Sequence, residues 1–160
     1  MFGRWSFLGP VALAAALVAG TATGAVRPAV RLAAVELQPE DPSPGGQFVW
    51  VTNRSRAAVD VGCWRLRSRR ATLWIEPPLR LGPGVSAALT PDRAWLQASD
   101  RVQLIGQSGR LVDTTPNLAD RSYDDRIWFR TAAGGWRFGR TRLTGEVMPG
   151  RLLGRKPMRC

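Results

Sequence analysis

The residue types needed for the commonest catalytic reactions are scarce in this sequence. Its 160 residues include no histidine, the usual proton shuttle at neutral pH and the commonest metal ligand. Ser-His-Asp and Cys-His catalysis are therefore excluded, together with most zinc sites that use nitrogen ligands. The two cysteines cannot complete a zinc site without histidine, and there is no phosphate-binding glycine loop of the GxGxxG or GxxxxGK type.

Carboxylates remain as candidates for acid-base chemistry, and their densest group lies in residues 120–126 (DRSYDDR). Each acid there has an arginine close by in sequence, which favours an ionised, paired carboxylate over a catalyst with a raised pKa. Oxygen ligands could also bind calcium, but the spacing does not match an EF-hand loop. We therefore expect a solvated loop here, with no metal site, no cofactor and no catalytic residue.

Positive charge is the most pronounced chemical feature of the chain. Lysine and arginine number 23 against 12 acids, a net charge of +11, and Lys156 is the only lysine. Such an excess attracts anionic partners, although a high arginine content can equally reflect genomic composition. The candidate binding residues are Arg65, Arg67, Arg69 and Arg70. The expected partner is an anionic polymer, a lipid surface or nucleic acid, and a specific protein partner is the alternative.

Arginines and aromatic residues alternate at Trp64-Arg65, in 127–130 (IWFR) and in 136–140 (WRFGR). This pattern could stack and neutralise a single-stranded nucleic acid. In a strand, however, successive side chains point to opposite faces, so aromatic rings would be buried and arginines solvated without any ligand. We favour this second interpretation, because alternation alone produces the pattern.

Residues 1–25 have the layout of a secretory signal peptide, with Arg4, an apolar stretch over 7–18 and small residues at 23–25 (TGA). The apolar stretch is shorter than the roughly 20 residues that a membrane-spanning helix requires. We therefore favour cleavage after Ala25 over the alternative, an N-terminal membrane anchor. The expected location is secreted or in the cell envelope.

In an exported protein, Cys63 and Cys160 are expected to form a disulfide. This bond would close a loop of about 98 residues and, in the chain-entropy model, stabilise the fold by roughly 4 to 5 kcal/mol. Free thiols and bonds to other chains are the alternatives. In a strand over 63–67, Trp64 and Leu66 share the buried face, so Cys63 is expected to point away from the core. A cysteine packed in the core is the alternative.

Short apolar and β-branched runs alternate with proline and glycine turn signals along the rest of the chain. The expected strands are 30–37, 48–52, 63–67, 72–76, 85–90, 101–105, 110–114, 126–129 and 135–138. Many short strands with frequent turns predict an all-β sandwich or barrel. A helical turn is expected only at 91–99.

Six residues are expected in the core: Phe48, Trp64, Leu66, Val102, Leu104 and Trp128. After residue 138 the alternation fades. Residues 139–160 contain six cations and one acid, so this segment is expected to be an extended basic C-terminal tail.

Several of these runs, in order, resemble the lamin-tail domain, an immunoglobulin-like β-sandwich found in nuclear lamins and in many exported bacterial proteins. The similar segments are 35–37 (VEL), 47–53 (QFVWVTN), 59–66 (VDVGCWRL), 81–85 (LGPGV), 100–104 (DRVQL) and 109–113 (GRLVD). The resemblance covers about 30–138. Gln47 and Trp50 stand where acids are common in the family, and Cys63 replaces a usual glycine.

The resemblance implies a rigid module that is used for interaction and has no catalytic activity. We therefore expect an exported, non-enzymatic binding or structural module that contacts anionic envelope or nucleic-acid material through its arginines. The alternatives are a docking domain for a specific protein and a hydrolase accessory that works through carboxylates such as Asp124 and Asp125.

Overall fold

The computed structural model describes residues 29–43, 46–142 and 144–160, and within these ranges the chain forms strands and turns without a helix. The predicted signal segment, 1–25, lies outside the described residues. The described strands are β1 (Val30–Glu36), β2 (Phe48–Asn53), β3 (Val59–Asp60), β4 (Arg65–Arg67), β5 (Thr72–Ile75), β6 (Arg80–Leu81), β7 (Ser86–Pro91), β8 (Ser99–Asp100), β9 (Gln103–Ile105), β10 (Leu111–Thr114), β11 (Leu118–Ala119), β12 (Ile127–Arg130), β13 (Trp136–Gly139) and β14 (Val147–Leu153).

Ten of these strands form one large sheet in the order β10-β9-β4-β5-β14-β7-β2-β1-β12-β13. Neighbouring strands in it are antiparallel except for β14 and β7, which are parallel. The sheet curls until β1 meets β10, where the Leu32 backbone N–H donates a 2.9 Å hydrogen bond to Asp113 Oδ2. The predicted all-β fold is confirmed, and the curled sheet is consistent with a sandwich-like arrangement. No helix in the described part of the chain is long and apolar enough to cross a membrane.

The core lies inside the curled sheet and follows the period of two expected for strands. Leu66, Val102 and Leu104 are fully buried, as predicted. Trp64 and Trp128 are only half-buried and pack against the edge of the core.

Phe48 was expected in the core, but it lies on the outer face of β2. Val49 and Val51 alternate with it and fill the inner face of the same strand. The Phe48 ring centroid lies 6.3 Å from that of Trp50, another residue of the outer face. The prediction failed because β2 is apolar on both faces, so its sequence does not show which face is buried.

The segment 91–99 was predicted as a helical turn, but it contains bends and no helix. Its conformation is fixed by the buried side chain of Gln47. The Gln47 amide donates to the carbonyls of Leu37 and Leu96 at 2.7 and 2.9 Å, and its Oε1 accepts from the N–H groups of Trp95 and Leu96 at 2.8 and 3.0 Å. Because its amide both donates and accepts, Gln47 satisfies four buried backbone groups at once.

The C-terminal segment, expected as an extended tail, contributes strand β14 to the middle of the sheet. β14 lies between β5 and β7 and thereby joins the two halves of the sheet. Pro149 and Gly150 obscured this strand in the sequence, since both residue types argue against a central strand. The structure places Gly150 against the buried side chains of Leu89 and Leu79, where a larger residue would collide.

The predicted disulfide between Cys63 and Cys160 is confirmed, with Cα atoms 5.5 Å apart. The expected outward orientation of Cys63 is wrong, because this residue is 6% exposed and lies in the turn before β4 rather than in a strand. Its φ of 66° falls in the left-handed region that favours glycine. A disulfide of this kind is typical of an oxidising environment outside the cytosol.

Candidate anion-binding surface

The four arginines proposed from sequence lie together at β4 and the turn that follows it. Arg65 and Arg67 flank the buried Leu66 on β4, so both lie on the outer face of the sheet. Arg69 and Arg70 are exposed in the turn between β4 and β5. The structure therefore brings the predicted binding residues onto one stretch of surface.

The C-terminal segment adds a fifth cation to this surface. Trp74 of β5 is paired with Arg65 on one side and with Leu153 of β14 on the other. The guanidinium carbon of Arg65 lies 5.1 Å from the Trp74 ring centroid, and Lys156 Nζ lies 5.7 Å from it. Both distances are typical of cation–π contacts. We call Arg65, Arg67, Arg69, Arg70 and Lys156 the arginine face.

Hydrogen bonds to neutral groups orient two of these side chains. Arg67 Nε donates to Gln103 Oε1 at 2.8 Å, and a terminal nitrogen of Arg69 donates to Asn117 Oδ1 at 2.8 Å. The turn itself is fixed by the buried carboxylate of Asp100, which accepts from the Arg69 backbone N–H at 2.9 Å. Because Gln103 and Asn117 are neutral, they position the guanidinium groups of Arg67 and Arg69 without cancelling their charge.

Five acids of the described chain form ion pairs with arginines outside the arginine face. The ion pairs join Arg126 to Asp124, Arg130 to Asp113, Arg140 to Asp125, and Arg151 to Glu76 and Asp92. Within the described ranges, none of the five cations of the arginine face takes part in an ion pair. Its positive charge is therefore left available to an external anion.

The acidic run 120–126 is mostly paired, as its sequence predicts. Arg126 donates a hydrogen bond to Asp124, which lowers the pKa of that carboxyl group. Arg140 Nε binds both oxygens of Asp125, at 2.6 and 2.8 Å. Within the part of the chain that the structure describes, no group of three or more cysteines and acids is arranged to hold a metal ion.

Asp120 departs from that prediction, because it is buried close to a second acid, Glu36, which the sequence did not indicate. Asp120 is 3% exposed, and burial raises its pKa. Glu36 of β1 is also buried, and desolvation raises its pKa to about 7, with the charges of Asp120 and Asp124 adding to the effect. Position 36 gave no signal in the sequence, because strand pairing alone brings β1 close to the 120–126 loop.

The aromatic residues of β12 and β13 contact arginines instead of leaving their rings open. The guanidinium of Arg126 lies 5.0 Å from the Phe138 ring centroid, and that of Arg130 lies 5.1 Å from the Trp136 centroid. Trp136 and Trp128 also pack against the core. The structural interpretation of the arginine and aromatic alternation is therefore supported, with the correction that these two arginines cover rings instead of extending into solvent.

No family model matches this chain, and no curated protein matches it. Its function is therefore inferred from the charges and contacts of its own residues.

Proposed function

We propose that the protein is an exported, non-enzymatic binding module that retains an anionic polymer on its arginine face. The observation that carries this proposal is a group of cations without an ion-pair partner among the described residues. Arg65 and Arg67 lie on the outer face of β4, Arg69 and Arg70 lie in the turn that follows, and Lys156 lies beside Trp74. Clustered charge of one sign raises the local concentration of an oppositely charged ligand and accelerates its association.

The rigidity of the surface supports this role. Arg65 and Arg67 project from a strand that is hydrogen-bonded to β5 and β9 on its two sides. Groups fixed on regular strands lose less freedom on binding than groups on a mobile tail, so more of the contact energy appears as affinity.

The contacts of Trp74 favour a ligand that is bound through its charge over a nucleic acid whose bases stack on the Trp74 ring. Its half-buried ring is already in contact with Arg65 and Lys156. A base would have to displace one of these cations in order to stack on the ring. Phosphate, sulfate or carboxylate groups along a polymer need only to contact the outward guanidinium groups.

The disulfide and the layout of residues 1–25 support export. The resemblance to lamin-tail domains supports an interaction module rather than an enzyme. Together they favour an anionic polymer of the cell envelope or extracellular space as the ligand. Nucleic acid and anionic lipid are also negatively charged, and the test compares both with the polymer.

The test is retention of the purified protein on immobilised dextran sulfate at increasing salt. We expect affinity to fall steeply with salt, because each neutralised charge releases a counterion. A variant with Arg65, Arg67, Arg69 and Arg70 all changed to glutamine should lose about tenfold or more in affinity and show a shallower salt dependence.

The matched control removes four charges elsewhere, with the exposed residues Arg56, Arg121, Arg137 and Arg142 changed to glutamine. It should retain most of the affinity. Equal losses in the two variants would mean that net charge alone drives retention and would overturn the proposed site.

The class of anion is tested with single-stranded DNA and phosphatidylglycerol vesicles, measured in parallel. Their affinities show whether nucleic acid or anionic lipid binds more tightly than the polymer. Capture of one stoichiometric protein at high salt would favour the docking alternative instead.

A further inference from the structure

A second cationic site lies away from the arginine face, at the end of the sheet where β1, β2 and β12 meet. It is a cleft of about 290 Å³. Among the residues that line the cleft are Arg31, Thr52, Arg54 and Arg130. In the curled sheet, β14 and β7 separate these strands from β4 and β5 on one side, and β10 and β9 separate β1 from β4 on the other.

Strand pairing assembles the three arginines of the cleft from distant parts of the chain. Arg31 of β1 is paired with Thr52 of β2, and Arg54 follows the end of β2. Arg130 is the last residue of β12, the other neighbour of β1. The register between β1 and β2 shifts between Leu32 and Ala34, beside the cleft. We call Arg31, Arg54 and Arg130 the arginine pocket.

Two guanidinium groups in the arginine pocket have a buried donor without an acceptor. The Nε atoms of Arg31 and Arg130 are buried and make no hydrogen bond to any described residue. An unsatisfied buried donor on a charged group is costly, so native structures rarely leave one without a partner. Because both Nε atoms are closed to solvent, an anion in the cleft can contact only the terminal nitrogens of these guanidinium groups.

The contacts of Arg130 hold its guanidinium group in place. A terminal nitrogen of Arg130 lies 3.1 Å from Asp113 Oδ2, and the guanidinium packs over the ring of Trp136. Asp113 is fixed in turn by the backbone N–H of Leu32, at 2.9 Å. An arginine restrained in this way is preorganised for a ligand, because little side-chain freedom remains to be lost on binding.

The charge of the pocket matches that of a phosphate group. Its three guanidinium groups are offset by the single carboxylate of Asp113, which leaves about two positive charges. A phosphate monoester carries about −1.5 to −2 at pH 7 and has three strong acceptor oxygens. The cleft volume of about 290 Å³ is near the lower limit of about 300 Å³ for small-ligand sites, so it has room for a phosphate and a few more atoms.

We propose that the arginine pocket is a binding site for a phosphate monoester group, separate from the arginine face. The phosphate oxygens accept hydrogen bonds from the terminal guanidinium nitrogens of Arg31 and Arg130, and Arg54, at the exposed rim, contributes a third positive charge. The site selects a compact dianion over a monoanion, because only a dianion neutralises the pocket.

The test uses the full chain at pH 7.5 and constant ionic strength, with inorganic phosphate as the first probe. Saturable binding is measured by thermal shift and by changes in amide NMR signals. Methyl phosphate should bind like inorganic phosphate, whereas dimethyl phosphate and acetate, which carry one charge, should bind at least several-fold more weakly. Sulfate, a tetrahedral dianion, should compete with phosphate.

Arg31→Gln should weaken phosphate binding by roughly tenfold or more, as expected for the loss of a charge-assisted hydrogen bond. Arg121→Gln, an exposed position outside both the arginine face and the arginine pocket, is the matched control and should leave phosphate binding unchanged. The NMR shifts of the wild-type protein should lie around residues 31, 54 and 130, a readout that does not depend on any variant folding.

The proposal is overturned if phosphate produces no saturable change at constant ionic strength, or if Arg31→Gln and Arg121→Gln weaken phosphate binding equally. Acetate binding as tightly as phosphate would also contradict it. The two sites can be tested separately, because Arg31→Gln should leave retention on dextran sulfate close to that of the wild type. Failure of phosphate binding would therefore not affect the proposed role of the arginine face.

Discussion

Cys63 and Cys160 are bonded to each other across a sequence separation of 97 residues. Cys63 lies in the turn before β4, and Cys160 is the last residue of the sequence, seven positions after the end of β14. The bond therefore fixes the segment that follows β14, and Lys156 of the arginine face lies within that segment. Stability and the proposed binding surface both depend on the position of this C-terminal segment.

Removal of the disulfide should destabilise the protein strongly. Changing Cys63 and Cys160 together to serine should lower the free energy of unfolding by about 2 to 5 kcal/mol, because the unfolded chain is no longer constrained by a long loop. Guanidinium unfolding measures this change. A reducing agent should bring the wild-type midpoint close to that of the double variant and leave the double variant unaffected. Equal stability of oxidised wild type and variant would contradict the expectation.

Gly150 should tolerate substitution poorly, because β14 approaches the core closely at this residue. A Cβ atom at position 150 would lie 2.6 Å from Leu89 Cδ2 and 3.0 Å from Leu79 Cδ2, both on buried side chains. Gly150→Ala should therefore cost about 1 to 3 kcal/mol of stability through overpacking. Gly139→Ala is the matched control, since its Cβ would meet no atom within 4 Å. Thermal unfolding of both variants checks the difference.

Gln47→Leu should destabilise the protein despite the similar size of leucine. The change leaves the N–H groups of Trp95 and Leu96 without their buried acceptor and the carbonyls of Leu37 and Leu96 without their donor. We expect a loss of about 2 to 4 kcal/mol.

The control for this prediction is Gln103→Leu. Gln103 is half-buried on the outer face, and its side chain accepts a hydrogen bond from Arg67. Its replacement should change stability by less than about 1 kcal/mol. Urea unfolding that shows equal losses for the two variants would contradict the structural role of Gln47.

Burial of Glu36 should make the protein less stable as the pH rises. The folded state raises the pKa of Glu36 from 4.5 to about 7, so folding favours the protonated form. Its contribution is fully present below pH 4.5 and is lost as the pH rises through about 7. The shift corresponds to at most about 3 kcal/mol. Asp120, whose pKa is also raised, acts in the same direction.

Urea unfolding between pH 5 and 8 measures this dependence. Glu36→Gln keeps the shape of the side chain and removes its charge, so it should flatten most of the dependence and stabilise the protein at pH 8. The paired Asp124 has a lowered pKa and loses its contribution only at lower pH, outside this range. A Glu36→Gln variant with the slope of the wild type would contradict the assignment.

The nine strands of three or more residues up to residue 139 were predictable, because each is marked by local features, whereas the two-residue strands β3, β6, β8 and β11 were not predicted. In β4 and β9, alternation placed Leu66 and Leu104 in the core correctly. Where both faces are apolar, as in β2, the sequence could not show that Phe48 lies outside and Val49 inside. The cysteine pairing was also predictable, since the chain has only two cysteines.

The sequence by itself determined the all-β class, most strand positions, the disulfide and the excess of positive charge. Each of these depends on composition or on neighbours within a few residues along the chain. The tertiary structure alone decided that β14 enters the sheet, that Lys156 reaches Trp74, that Glu36 is buried near Asp120 and that three arginines form a pocket. These features arise from pairing between distant strands, for which a single sequence carries no local signal.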